Sequence, residues 1–234
     1  MLSVKNLSKH FGQLRALQDL SFEISERSIA GIIGPNGAGK TTLLLSMAGL
    51  LPTNGGTIYW NNEQTSTNAQ FRRVFFYVED AVRPHALLSV EAVLSFYRCV
   101  FRRTQNYRDG LIDRLGLQSF LSARISELSK GAAKRFLIAI GLMSKQPVLM
   151  LDEPFDGLDL KQTMEFLPML GETSAEGRTL VLSIHQLRDA ERACDRFVLL
   201  NDGRLAGSGT LAELQTIAGC SQSSGLEQIF LALT

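Results

Sequence analysis

The stretch from Ile29 to Ala48 leaves few folds open. An apolar, β-branched run, Ile29–Ile33, leads into Gly34-Pro35-Asn36-Gly37-Ala38-Gly39-Lys40-Thr41-Thr42, followed by the apolar helical pattern Leu43, Leu44, Leu45, Met47 and Ala48. Strand, glycine-rich loop and helix in this order form a P-loop. Glycines let the backbone curl so that successive N–H groups point inward, and the helix directs its positive end at the same place. Phosphate oxygens fit such a nest. Lys40 is expected to reach the β- and γ-phosphates, and the Thr41 hydroxyl to ligate Mg²⁺. Gly34, Pro35, Asn36, Gly37, Ala38, Gly39, Lys40, Thr41 and Thr42 are therefore read as the binding loop for a nucleoside triphosphate.

Composition narrows the partners. Over 234 residues the net charge is +1, so no overall field favours nucleic acid, and none is expected as a partner. Arg98, Arg102, Arg103 and Arg108 gather locally and read as a solvated helix face. Apolar runs such as Leu43–Leu51 and Phe136–Met143 fall short of the roughly 18–20 residues of a membrane span. The N-terminus lacks a signal-peptide layout. Cys99, Cys194 and Cys220 are scattered without CxxC spacing, as expected of reduced thiols in the cytoplasm. If the chain serves membrane transport, another polypeptide must supply the channel.

Hydrophobic periodicity lays out the remaining elements. Leu20, Phe22 and Ile24 alternate as on a half-buried strand. Gly56–Trp60 reads as a strand entering a turn at Asn61-Asn62, and Arg73–Val78 as another strand. Helix is expected from about Ser89, again over Leu111–Leu117, and over Lys134–Ser144. Val148–Leu151 and Thr179–Ser183 are continuous apolar runs, the pattern of strands covered on both faces. Phe197–Leu200, Asn201-Asp202-Gly203 and Arg204–Ala206 predict a hairpin. Capping boxes at Thr210–Glu213 and Ser224–Glu227 predict two last helices. The expected fold is α/β: a single domain over 1–234, with a P-loop NTPase core, an N-terminal antiparallel β subdomain and an inserted α-helical subdomain. Core residues are about 1–80 and 146–234, and the insertion about 81–145, starting near Ala81.

Downstream, Val148–Leu151 ends in Asp152-Glu153-Pro154, the Walker B pattern. Adjacent side chains diverge at a strand end, so two acids can take different roles. Asp152 is expected to hold Mg²⁺ through water, and Glu153 to polarise the attacking water. Phe155-Asp156-Gly157-Leu158-Asp159 follows directly, His185 ends the next strand, and Leu128-Ser129-Lys130-Gly131-Ala132-Ala133-Lys134-Arg135 opens a helix between the two phosphate motifs. In this order and spacing the set resembles the nucleotide-binding subunit of ATP-binding-cassette (ABC) transporters, over essentially the whole chain. The resemblance implies that Phe11 stacks on adenine. It also implies that Ser129 and Gly131 cap the γ-phosphate of ATP held by an opposite protomer, that Asp159 couples the two sites, and that His185 contacts the γ-phosphate. ATP and Mg²⁺ are the implied cofactors. A second ABC ATPase protomer and a transmembrane permease are the implied partners, with the chain on the cytoplasmic face of the membrane.

Two departures from the family pattern stand out. The signature carries Lys130, Gly131 and Ala132 where Gly, Gly and Gln are usual, so an amide that assists nucleotide contact is missing and weaker closure is expected. Tyr77-Val78-Glu79-Asp80 has no glutamine at the strand end, and Glu79 is expected to ligate the metal. The segment Gly225–Thr234 resembles the ending of exporter ATPases, and the length leaves no room for the regulatory domain common in importers, so export is expected. Two alternatives stay open: a soluble ABC ATPase of the iron–sulfur-cluster assembly type, and a regulatory cassette that scarcely turns ATP over.

Overall fold

The computed structural model describes residues 1–80 and 84–234. The chain opens with β1 (Leu2–Phe11), β2 (Leu14–Ile24) and β3 (Ile29–Ile33), then α1 (Lys40–Met47), β4 (Gly55–Trp60), β5 (Glu63–Gln64), α2 (Asn68–Val74) and β6 (Phe75–Val78). A helical stretch follows, α3 (Val90–Val100), α4 (Gln105–Arg114) and α5 (Lys130–Met143). Strand and helix then alternate through β7 (Val148–Asp152), α6 (Leu160–Ala175), β8 (Thr179–Ile184), α7 (Leu187–Ala193) and β9 (Arg196–Asn201). The chain closes with β10 (Arg204–Gly209), α8 (Leu211–Ile217) and α9 (Leu226–Leu233). Among the described residues no helix is long and apolar enough to cross a membrane.

Two sheets carry the fold. The first is antiparallel in the order β2-β1-β4-β5, with Leu20, Phe22 and Ile24 buried as their alternation predicts. The second runs β10-β9-β3-β8-β7-β6 and is parallel except for its edge strand β10. Its inner strands divide their side chains between two cores. Ala30, Ile32, Val148, Met150, Val181, Val198 and Leu200 face α1 and the antiparallel sheet. Ile29, Ile33, Leu149, Leu151, Leu180, Leu182 and Leu199 face the other way, against residues of α3 to α9. Continuous apolar strands are required because neither face meets water.

Several elements depart from the expected layout. Arg73 and Val74 end α2 and do not begin β6. A capping box between Thr67 and Gln70 nucleates this helix, so the strand starts only at Phe75. The helix expected through Leu117 stops at Arg114, and Gly116 follows with φ 58°. The helix expected from Lys134 begins at Lys130, because Ser129 caps it. Ser224 does not cap the last helix. Gly225 stands there, and the Leu226 N–H donates to the Glu191 carboxylate, a tertiary partner replacing the local one.

The arginine cluster is only partly a solvated face: Arg102 is exposed, whereas Arg103 and Arg108 are engaged within the fold. Arg103 donates to the carbonyls of Met143 and Ser144, both at 2.9 Å. Arg178 donates to Ser144 Oγ at 2.7 Å and to the Gln146 carbonyl at 3.0 Å. Together they seat cations on the negative end of α5. Burial pulls the Arg178 guanidinium down to about 10, leaving it charged near neutral pH. Arg108 is buried and paired with Glu91 and Asp109. The expected start of the inserted segment at Ala81 lies outside the described residues.

Candidate nucleotide site

The loop between β3 and α1 owes its shape to glycines with no room for a side chain. A Cβ on Gly34 would lie 2.3 Å from the Leu200 carbonyl oxygen. Gly39 has φ 101°, and its Cβ would lie 2.7 Å from the Ala16 oxygen. The loop therefore rests directly on backbone from β9 and β2. Lys40 is 6 % exposed, and its ammonium donates to the carbonyls of Gly34 at 2.8 Å and Pro35 at 3.1 Å. Burial lowers its pKa, and the nearby charges of Glu153 and Asp152 oppose that shift. A cavity of about 610 Å³ opens over the loop, lined by Phe11, Asn36, Gly37, Lys40, Thr41 and Glu153, with Gly39 and Thr42 also on its wall. Phe11 ends β1, is half exposed, and carries the Lys9 ammonium 4.9 Å from its ring centroid. Gly34, Pro35 and Ala38 shape the loop without lining the cavity. Ala38 is buried, and its carbonyl accepts from the Gly203 N–H at 3.1 Å.

At the end of β7 the two acids do diverge. Asp152 is buried, and its two carboxylate oxygens accept from the Tyr77 hydroxyl, at 2.9 Å, and from the Ser183 hydroxyl. Burial and the charge of Asp152 push the Tyr77 phenol well above its ordinary range, so it stays a donor. Glu153 turns the other way with φ 47°, lines the cavity, and places Oε2 3.6 Å from His185 Nδ1. Its N–H donates to Ser183 Oγ at 2.9 Å.

Asp80, Glu153 and Asp156 bring carboxylate oxygens within 4.8 Å of one another, the one such group among the described residues. Glu79 is exposed and lies outside it. The strand β6 ends at Val78, so strand alternation no longer decides which of the next two acids faces the site. Asp80 instead pairs with the buried Lys134 ammonium.

Sequence reasoning missed Tyr77, Asp80, Lys134 and Ser183. Ser183 left a signal: it is a fully buried hydroxyl in an apolar strand, in register with Asp152. Lys134 and Asp80 left none, because their partnership joins residues far apart in the chain.

The signature residues lie elsewhere. Ser129 caps α5, its hydroxyl accepting from the Ala132 N–H at 3.2 Å. Gly131 packs so tightly that a Cβ would lie 2.5 Å from the Gly157 carbonyl oxygen. Lys130 bonds Asp156 at 2.6 Å. Asp159 caps α6, accepting from the Gln162 N–H at 2.8 Å. Ser129, Gly131 and Asp159 do not line the P-loop cavity of their own chain. Ala132 is fully buried in the core beneath α5, where it offers no surface to a nucleotide.

A strand–loop–helix phosphate nest, a Walker B strand beside it and a parallel sheet between two cores define a P-loop ATPase. A family model described as "ABC transporter" matches residues 17–156, and the chain belongs to that family as an ATP-binding subunit with ATPase activity. It is 27% identical to the ABC-type transporter ATP-binding protein EcsA of Bacillus subtilis, over 100% of this chain and 96% of that protein. It is 31% identical to the probable multidrug ABC transporter ATP-binding protein YbhF of Escherichia coli, of which it spans 41%. The sulfate/thiosulfate import ATP-binding protein CysA of Vibrio cholerae is 34% identical over 91% of this chain, which spans 59% of that protein. A solved structure of the ATP-binding subunit of an ABC transporter superposes with TM-score 0.90 at 28% identity, covering 100% of this chain and 99% of that one.

Proposed function

We propose that this chain hydrolyses ATP to drive a separate membrane permease in the export direction, working as one half of a pair of ABC ATPase protomers. The observation that carries this reading is Glu153: a carboxylate lining the Lys40 cavity, aimed at His185 from a strained backbone setting. A carboxylate there serves to orient water against the γ-phosphate, with His185 contacting that phosphate. Phe11 stacks on adenine, and Gly34, Pro35, Asn36, Gly37, Ala38, Gly39, Lys40, Thr41 and Thr42 hold the phosphates. Ser129 and Gly131 cap the nucleotide of the opposite protomer, which agrees with their absence from the cavity of their own chain. Asp159 couples the two sites.

The donors near the phosphate end are hydroxyl and carboxylate oxygens, the set that suits Mg²⁺. Thr41 opens onto the cavity, while Asp152 is buried behind it with both oxygens already accepting hydroxyl protons. That arrangement fits direct contact by Thr41 and contact through water by Asp152. Bound there, the metal would neutralise phosphate charge. For Glu79, the expected further ligand, its exposure outside the carboxylate group of Asp80, Glu153 and Asp156 weighs against a metal contact, and Asp80 is engaged by Lys134. The core is taken as about 1–80 and 146–234, with the helical subdomain about 81–145 between them. The export direction rests on the resemblance of Gly225–Thr234 to the ending of exporter ATPases, a segment that forms α9 and buries Leu226 and Ile229 against the core. Relatives named for multidrug transport and for import both occur, so the relatives do not fix the direction.

The test is ATP hydrolysis by purified wild type and Glu153→Gln, with size-exclusion chromatography in ATP. Glu153→Gln should lose at least about a hundredfold in turnover and elute as an ATP-dependent dimer. Wild-type hydrolysis by Glu153→Gln would overturn the assignment of Glu153. Direction is read from everted membrane vesicles holding the chain with its permease: uptake of cargo into them on ATP addition indicates export, and ATP-driven loss of preloaded cargo would refute it.

A further inference from the structure

The peptide joining Asp152 to Glu153 is gripped from both sides. Its carbonyl accepts from the Lys134 ammonium at 3.2 Å, and its N–H donates to Ser183 Oγ at 2.9 Å. Glu153 leaves that peptide at φ 47°, a setting that sterics disfavour for any residue with a Cβ. Two hydrogen bonds to one peptide plane oppose its relaxation. The two grips differ in kind. Ser183 belongs to β8, paired residue for residue with β7, so it cannot shift without breaking the sheet. Lys134 belongs to α5, little more than one helical turn beyond Ser129, and reaches the peptide from outside the sheet.

Lys134 has a second partner. Its side chain is 2 % exposed, and its ammonium ion-pairs with Asp80, just past the end of β6. One buried cation thus joins three segments: the helix that Ser129 caps, the chain leaving β6, and the Walker B backbone. Asp80 also lies in the carboxylate group with Glu153 and Asp156, and Lys130 holds Asp156 from one turn earlier on α5. Without these two ammonium groups, three clustered carboxylates would repel one another. A neutral donor at position 134 could hold the carbonyl, but it would not register where Asp80 lies.

We propose that Lys134 is a positioning residue: its ammonium sets the backbone of Glu153, and its ion pair with Asp80 makes that setting follow the segment leaving β6. This regulation of the hydrolytic site rests on Glu153 being the carboxylate that orients water. Displacing Asp80 leaves the cation with one fewer partner and changes its hold on the Asp152 carbonyl. The aim of Glu153 then moves while the P-loop keeps its grip on nucleotide.

The experiment compares the purified full chain as wild type, Lys134→Met, Asp80→Asn, the double variant and Glu153→Gln, by steady-state ATPase assay and by fluorescent-ATP binding. Lys134→Met keeps the aliphatic stem and should lower kcat about thirtyfold, since small misplacements of a reacting group cost up to about a hundredfold. KM and the Kd for the nucleotide probe should stay within about threefold, a split that general loss of packing would not produce. Asp80→Asn should lower kcat about fivefold, and the double variant should turn over no more slowly than Lys134→Met, because without the ammonium the Asp80 charge no longer conveys the position of its segment and only repels Glu153. Turnover in Lys134→Met within about threefold of wild type, or a double variant falling by the product of the single effects, would overturn the proposal. Thermal melts check folding. Should Lys134→Met fail to fold, Asp80→Asn decides: lowered kcat at constant KM supports the proposal, and unchanged kcat overturns it. Hydrolysis surviving Glu153→Gln overturns the Glu153 assignment and this proposal with it. Loss there, with wild-type turnover in Lys134→Met, overturns this proposal alone.

Discussion

Replacing Ser183 by Ala removes one oxygen atom from a site with no access to water. The hydroxyl is 0 % exposed; it donates to the Asp152 carboxylate and accepts from the Glu153 N–H at 2.9 Å. A hydrogen bond to a charged group contributes about 1.5–3 kcal/mol, and a buried N–H left unpaired costs about 1–3 kcal/mol. The two losses share one atom and overlap, so about 3 kcal/mol of destabilisation is expected. Unfolding entropy of about 2.1 cal/mol/K per residue makes about 0.5 kcal/mol/K for the chain, which converts this to a drop in Tm of about 6 °C. Ser46→Ala is the matched control. Ser46 is likewise buried on α1, but its hydroxyl has no hydrogen-bond partner among the described residues, so its removal should leave Tm unchanged or raise it. Both are measured by calorimetry with the same buffer and scan rate, and hydrolysis is followed in parallel, where Ser183→Ala should lose turnover. A Ser183→Ala melt within about 1 °C of wild type, or an equal fall in Ser46→Ala, would refute the reasoning.

Two further outcomes follow from burial. Ala132→Gln, which restores the family's usual residue, places a long amide where the side chain is 0 % exposed; it should destabilise by about 1–3 kcal/mol, read as a lower Tm, and an unchanged melt would show that this face of α5 opens. Asp195 accepts from the Ile29 N–H through both oxygens, at 3.2 and 3.1 Å, and burial raises its carboxyl above the ordinary value. The folded state therefore binds the extra proton between the ordinary and the raised pKa, and stability falls as pH rises through that window. Asp195→Asn removes this dependence, so its Tm relative to wild type should climb with pH across the window; a constant difference would contradict the sign.

Much of the site was legible because its signals are local. Gly34 and Gly39 stand where a side chain has no space, and the run from Val148 to Glu153 announces both a buried strand and its divergent acids. His185 and Glu153 were expected on neighbouring strand ends and do meet at 3.6 Å. Glu79 shows where local reading ends. It and Asp80 are adjacent acids at a strand terminus, and only the path of the chain beyond Val78 turns Asp80 toward Lys134 and leaves Glu79 exposed. The same limit holds for Ala132, read as a missing nucleotide contact and found in the core, and for Arg103 and Arg108, read as part of a solvated face and found respectively on the end of α5 and paired with carboxylates.

The sequence by itself determined the phosphate loop, the parallel strands and the order of the motifs, because backbone curl and strand burial are written in neighbouring residues. Tertiary structure alone decided the setting of Glu153. That setting depends on a cation from α5, a hydroxyl from β8 and an acid from beyond β6, and these side chains acquire their roles only when packing brings three distant segments to one peptide.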